Sequence, residues 1–164
     1  MITEAVVTLQ TSMNSSRCNS ICLKIKADEK YLLSISANAD GNNINKYPIK
    51  PSSEIIAQTK VQLQEFFMGE RKTFDLPINP DQGTEFQRRV WSELRKIPCG
   101  ETRTYGEIAR LIGSPKAARA VGMACNKNPL LIVTPCHRVV GSNGSLVGFA
   151  CGLDIKQILL DAEK

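Results

Sequence analysis

Thr104-Tyr105-Gly106-Glu107-Ile108-Ala109-Arg110-Leu111-Ile112-Gly113-Ser114-Pro115 carries two helix starts and a helix stop in one short stretch. Thr104 with Glu107 is a capping box, in which hydroxyl and carboxylate each accept a backbone N–H that the first helical turn leaves unpaired. Ile108, Ala109, Leu111 and Ile112 supply an apolar side, and Gly113 ends the helix. Ser114 then reads as the cap of a further helix, with Pro115 at its first position, where a missing N–H costs nothing. Two short helices joined by a tight glycine-containing turn make a helix-turn-helix. Downstream, Ser142-Asn143-Gly144 between Val139-Val140 and Leu146-Val147 reads as a hairpin turn, which predicts a winged variant.

The second helix has an unusual texture. Lys116, Arg119, Met123 and Lys127 recur at three- and four-residue steps among Ala117, Ala118, Ala120, Gly122 and Ala124. Small residues suit tight helix packing, and part of the pattern serves that. A helix reading major-groove base edges would display Arg, Asn or Gln side chains. A smooth face with one or two cations fits a narrow groove, or contact indifferent to sequence. Charge agrees: residues 1–84 are balanced, with nine basic and nine acidic side chains, whereas residues 85–164 hold twelve against seven. A neutral half joined to a basic half points to a polyanionic partner for the second.

After that helix comes Leu130-Leu131-Ile132-Val133-Thr134-Pro135-Cys136-His137-Arg138-Val139, an apolar run delivering a cysteine between a proline and the only histidine of the chain. Free cysteine is most often a buried packing residue. A thiolate nucleophile, by contrast, benefits from a fixed backbone and an imidazole that accepts its proton. Cys136 is therefore the candidate nucleophile. On an extended chain His137 would face the opposite side, so a water between the two is the natural arrangement.

Upstream, Thr84 with Gln87 is a second capping box, opening a helix lined by Phe86, Val90 and Leu94 and stopped near Pro98. Asp154–Glu163 reads as a closing helix with Ile155, Ile158, Leu159 and Ala162 inward. In the first half, Ile21, Leu23 and Ile25 alternate with polar residues as a strand, and Tyr31–Ile35 reads as another. Ser53–Met68 has helical spacing, with Gly69 to cap its end. Residues 1–20 give no pattern beyond a loop at Thr11–Ser16, Ala39–Pro51 reads as a connection, and Phe74–Gln82 as a linker. The expected class is α+β: a small α/β scaffold domain with linker over 1–83, then a winged helix-turn-helix-like domain over 84–164.

No apolar run approaches the ~20 residues that span a bilayer, and the N-terminus lacks a secretory pattern, so an intracellular protein without membrane contact is expected. In that setting the six cysteines are free thiols. Cys18 and Cys22 form a zinc half-site, but no second Cys/His pair follows, so no metal is expected.

Ile97-Pro98-Cys99-Gly100, Thr104-Tyr105-Gly106-Glu107-Ile108-Ala109, Ala117-Ala118-Arg119-Ala120-Val121-Gly122, Asn128-Pro129, Pro135-Cys136-His137-Arg138-Val139-Val140 and Gly152-Leu153 together resemble the O6-alkylguanine-DNA alkyltransferases, also called methylated-DNA–protein-cysteine methyltransferases. The resemblance covers roughly residues 84–164. It implies direct reversal of DNA damage. An alkyl group leaves O6 of guanine (with O4 of thymine open as a second source) for Cys136, irreversibly and once per molecule, with no cofactor. The implied partner is double-stranded DNA containing alkylated guanine, bound by a monomer through the minor groove with little sequence specificity.

The resemblance also assigns roles. His137, through a water, and Glu163 hold the proton relay, while Asn128 favours the thiolate. Tyr105 donates to the departing base and presses on the adjacent phosphate, and Arg119 fills the gap left by the extruded nucleotide. Gly106, Ala117, Ala118, Gly122 and Ser142 would lie against DNA. The carbonyls of Val139 and Cys136 would read the exocyclic amine, the Ala150 N–H would face O6, and Phe149, Cys151 and Cys125 would line the pocket. Phe149 stands where tyrosine is frequent in the family, Cys151 where glycine is usual and Cys99 where a large residue is common, so the adducts accepted are open. Two rival readings stay in play: a sensor that binds alkylated bases without removing the adduct, and a cysteine hydrolase using Cys136 and His137.

Overall fold

The computed structural model describes residues 1–10, 20–37 and 53–164, which divide into two units, Met1–Asn79 and Pro80–Lys164. In the first, β1 (Thr3–Gln10), β2 (Ser20–Ala27) and β3 (Leu32–Ala37) form an antiparallel sheet in the order β1-β2-β3. The alternation in β2 is real: Ile21, Leu23, Ile25 and Ala27 are buried. β1 was not legible, because most of its residues are half-buried on both faces and give no period of two. Its register with β2 is helped by Lys24 and Lys26, which converge on Glu4 at 2.9 and 2.6 Å.

Helix α1 (Glu54–Phe67) packs on β1 and β2 through Ile56, Thr59, Leu63, Phe66 and Phe67. It stops in a left-handed Gly69 (φ 76°), whose N–H reaches the Phe66 carbonyl while the Glu70 N–H reaches that of Glu65. Phe74–Gln82 is less free than a linker. The Leu32 N–H donates to the Pro77 carbonyl, Ile78 bridges to Leu32, and Gln62 holds both backbone groups of Asp75. The expected loop at Thr11–Ser16, the connection at Ala39–Pro51 and Cys18 lie outside the described residues.

In the second unit both capping boxes form, opening α2 (Glu85–Leu94) and α3 (Tyr105–Leu111). Val90, Leu94, Ile108, Val121 and Val139 are fully buried around Trp91, Cys125 and Cys136. The Trp91 indole N–H is satisfied by the Ala124 carbonyl at 2.9 Å. After α3, Gly113 (φ 71°) turns the chain in a conformation that strains any other residue. Then the expectation fails in a detail: α4 spans Ala118–Asn126 and Ser114 does not cap it. The Ser114 carbonyl instead accepts the Ala117 N–H at 2.8 Å, a β-turn with Pro115 at the position where its fixed φ is favoured. Lys116 therefore sits in the turn and Lys127 at the C-cap, leaving Arg119 and Met123 as the members of that stripe on the helix.

The wing is also corrected. The turn closes, with the Gly141 N–H on the Ser145 carbonyl and Asn143 Oδ1 accepting from Ser145, but Leu146-Val147 forms no strand. β5 (Val139–Val140) pairs in parallel with β4 (Arg103–Thr104) instead. Nor is the stretch before Cys136 extended. Leu130–Thr134 is coiled into turns, with Ile132 at φ 74°, and Cys136–Arg138 is a single 3₁₀ turn. Helix α5 (Leu153–Asp161) closes the unit, burying Leu159 and, unexpectedly, Lys156, while Ile155 and Ile158 are half-buried. Among the described residues no helix is long and apolar enough to cross a membrane, and no three His, Cys, Asp or Glu side chains are grouped to hold a metal ion.

Candidate active site

Asn128, just past α4, organises the approach to Cys136. Its Oδ1 accepts the Leu130 N–H at 3.0 Å, and its Nδ2 donates to the Thr134 carbonyl at 2.8 Å and to Cys136 Sγ at 3.2 Å. One amide thus ties the coiled stretch shut and places a donor on the sulfur. The thiol itself is buried, and burial pushes it up to about 11, with the Asn128 hydrogen bond pulling the other way. The Asn128 amide favours the thiolate as expected, but desolvation outweighs it, so the proton leaves as the sulfur reacts.

A base stands nearby. His137 is fully buried, its Nε2 is 2.6 Å from Glu163 Oε1, and its Nδ1 has no hydrogen-bond partner. Burial lowers its proton affinity, against the pull of Glu163, so the ring is neutral with Nε2–H donating and Nδ1 bearing the lone pair. Glu163, read from sequence as an ordinary terminal-helix carboxylate apart from the family resemblance, has a buried side chain. It accepts further from Arg138 Nε (3.0 and 3.1 Å) and Nη2 (2.9 Å) and from the Gly100 N–H (2.9 Å). Burial would raise its pKa, but the His137 and Arg138 bonds outweigh that and hold it at about 2.

These shifts set an acid dependence of stability. Below about pH 6.5 the unfolded chain protonates His137 while the native one resists, and from about 4.5 down to 2 the unfolded chain likewise binds the Glu163 proton first. Stability should therefore decline as pH falls below 6.5 and more steeply below 4.5, Glu163 accounting for on the order of 3 kcal/mol. Calorimetric Tm values from pH 7 to 3 test this, with Glu163→Gln losing the lower limb.

Tyr105 and Lys156 stand near enough to the thiol to act on it electrostatically. The Tyr105 hydroxyl donates to the Val147 carbonyl at 3.0 Å; burial first, then the neighbouring Cys125 and Cys136, push its pKa to about 12, so it stays a proton donor. Lys156 Nζ donates to the carbonyls of Val139 and Val147 and lies 5.9 Å from the Tyr105 ring and 5.7 Å from that of Phe149. The Val139 carbonyl, expected to read a base, is thus already polarised by a buried ammonium, and that of Cys136 accepts the Val139 N–H. Cys125 packs in the same core, while Cys151 is half-buried and Ala150 exposed.

Tyr105, Ala118, exposed Arg119, Gly122, Asn126, Val147 and Gly148 line an open cavity of about 300 Å³. Ala117 precedes α4 and Gly106 sits in the first turn of α3; exposed Ser142, on the turn after β5, does not line this cavity. Sequence reasoning missed Lys156, Arg138 and Asn126. Lys156 had a signal, since it stands three residues before inward-facing Leu159 and so on the apolar side of α5.

A profile of the 6-O-methylguanine DNA methyltransferase DNA-binding domain matches residues 85–164. The methylated-DNA–protein-cysteine methyltransferase of Methanosarcina acetivorans is 56% identical over 112 residues, 68% of this chain and 71% of that protein. The constitutive enzyme of Bacillus subtilis is 53% identical over 110 residues, 66% of each. Among solved structures, the Mycobacterium tuberculosis O6-methylguanine methyltransferase matches over 97% of this chain and 93% of its own, with 36% identity and a TM-score of 0.75. The same organism's protein in complex with DNA matches with a TM-score of 0.76, 37% identity, and 96% and 92% coverage. With its helix-turn-helix unit and a buried Pro-Cys-His-Arg turn braced by asparagine and glutamate, the chain belongs to the methylated-DNA–protein-cysteine methyltransferase family.

Proposed function

We propose that this protein repairs DNA by moving the alkyl group of O6-alkylguanine onto Cys136 Sγ. The observation that carries the reading is the pairing of a buried thiol, held at 3.2 Å by the Asn128 amide, with a neighbouring imidazole whose Nδ1 is unpartnered. His137 takes the thiol proton through a water as sulfur attacks the O6-bound carbon. The S–C bond forms, the C–O6 bond breaks, and the electron pair goes to the purine, to which Tyr105 donates after leaving the Val147 carbonyl. The product is a thioether that no ordinary intracellular step reverses, so each molecule acts once and needs no cofactor. With duplex DNA carrying labelled O6-methylguanine in excess, lesion loss should stop at one equivalent per protein. Tight binding without loss would indicate a sensor, and sustained turnover of an ester a hydrolase.

A guanine inside a duplex cannot reach a buried sulfur, so the nucleotide is flipped out, at a cost of a few kcal/mol. Arg119, exposed at the cavity mouth on α4, fills the vacated stack from the minor groove. Arg119→Ala should slow repair of duplex DNA by roughly 10- to 100-fold while leaving reaction with the free modified base within about twofold; equal losses on both substrates would argue against flipping. On this reading a monomer binds the DNA, binding weakens with salt, and the small residues of α4 make it nearly indifferent to flanking sequence. Cys151 stands where the family usually has glycine, and on this reading its side chain narrows the pocket entrance. Cys151→Gly should raise the benzyl-to-methyl rate ratio by about an order of magnitude, the scale on which apolar pockets discriminate, as competition between the two modified guanines would show. The reading places the protein inside the cell, with its DNA.

A further inference from the structure

Arg138 is as buried as Cys136, at 5% exposure for each residue, and it neither lines the cavity nor hydrogen-bonds the thiol. Its guanidinium is spent on one carboxylate: Nε reaches both oxygens of Glu163, Nη2 reaches Oε1, and Nη1 is anchored on the Ile97 carbonyl. We propose that Arg138 is a positioning residue of the alkyl transfer, supplying the charge that balances Glu163 so that His137 rests neutral, with its proton on Nε2 and its lone pair on Nδ1. The inference rests on the alkyl-transfer reading and deepens it.

The charge count makes the case. Arg138 and Glu163 sum to zero, and a neutral His137 donates to the carboxylate. Take the guanidinium away and a carboxylate is left in the interior with only a ring N–H and the Gly100 N–H. Such a group recruits a proton. If the proton settles on His137, Nδ1 becomes N–H and cannot accept from the thiol. If it settles on Glu163 Oε1, the oxygen that faces the ring, the new O–H donates to Nε2 and shifts the ring proton onto Nδ1. Both routes remove the same lone pair. The other charged or titratable groups near His137 are too few to take over: Lys156 from α5 acts on its proton affinity, Cys136 lies next to it in the same turn, and Arg95, at the end of α2, is turned to the Thr134 hydroxyl at 3.2 Å. Lys156 is already committed to two carbonyls.

The test is the pH dependence of single-turnover transfer from O6-methylguanine duplex to the full-length protein. Arg138→Gln should lower the rate at pH 7 by at least tenfold, move the acidic limb of the profile upward by a unit or more, and recover much of the rate at high pH. Arg138→Lys, which keeps the charge, should return the limb to within about half a unit of the native position. A rate lowered by one factor at every pH, with the limb unmoved, would make Arg138 merely structural and overturn the proposal. Should the glutamine variant fail to fold, the lysine variant and the native protein decide it. Since His137 is the only histidine, ¹⁵N spectra of the imidazole report one ring, which should be the neutral Nε2–H tautomer at pH 7 in both. An imidazolium, or an Nδ1–H tautomer, overturns it. Native protein that shows this tautomer but moves no label to Cys136 would refute the repair reading and leave the assignment of Arg138's effect on His137 standing.

Discussion

Cys136→Ala should abolish alkyl transfer outright while leaving affinity for duplex DNA within about twofold. Among the described residues only Cys136 Sγ combines a donor amide at 3.2 Å with a neighbouring unpartnered imidazole nitrogen. Cys125 shares its core, yet burial pushes that thiol to about 12, further from ionisation than Cys136. It is no substitute nucleophile. The truncation removes one buried atom from a region where Asn128 already fixes the backbone through Leu130 and Thr134, so the loss of stability should be about 1 kcal/mol. On the proposed reading Arg119, α3 and α4 meet the DNA, and the substitution alters none of them. Transfer of label is the readout, with gel-shift or anisotropy binding as the companion; residual transfer above a few per cent would mean a second acceptor.

Asn128→Ala should come next in size, cutting the single-turnover rate at neutral pH by roughly 10²- to 10³-fold and lowering stability by about 2–4 kcal/mol. The stability figure follows from deleting three good hydrogen bonds in a part-buried site, at about 1 kcal/mol each, leaving the Leu130 N–H without its partner and the Thr134 carbonyl with only the Cys136 N–H. The rate follows from the sulfur losing its one amide donor while its burial persists, which moves the thiol above about 11. Chemistry and folding separate if rates are taken well below each variant's Tm: a rate restored by raising pH marks a thiol made harder to ionise, and a rate low at all pH marks a displaced sulfur.

What could be read from the chain alone were features whose cause is local. Thr84 with Gln87 and Thr104 with Glu107 close their boxes across three residues, and the alternation of Ile21, Leu23 and Ile25 belongs to one strand, so each survives in the structure. The failures are competitions between partners distant in sequence. Ser114 carries the marks of a helix cap, but Pro115 suits a turn equally well and the turn wins. Val139-Val140 look like half of a hairpin, and are taken by Arg103-Thr104, some 35 residues upstream. Cys136 was found from its proline and histidine neighbours, whereas its protonation state depends on packing against Val90, Ile108 and Val139, which no motif displays. Lys156 and Arg138 were missed because a cation is read as solvent-facing, although both satisfy carbonyls or a carboxylate in the interior.

Whether Cys136 is the permanent acceptor of the alkyl group is decided by peptide mass spectrometry of the protein after exposure to excess O6-methylguanine duplex. The account predicts a gain of one methyl group on the peptide containing Cys136, one per molecule and equal to the guanine restored. Lesion consumed while that sulfur is recovered unmodified would contradict it.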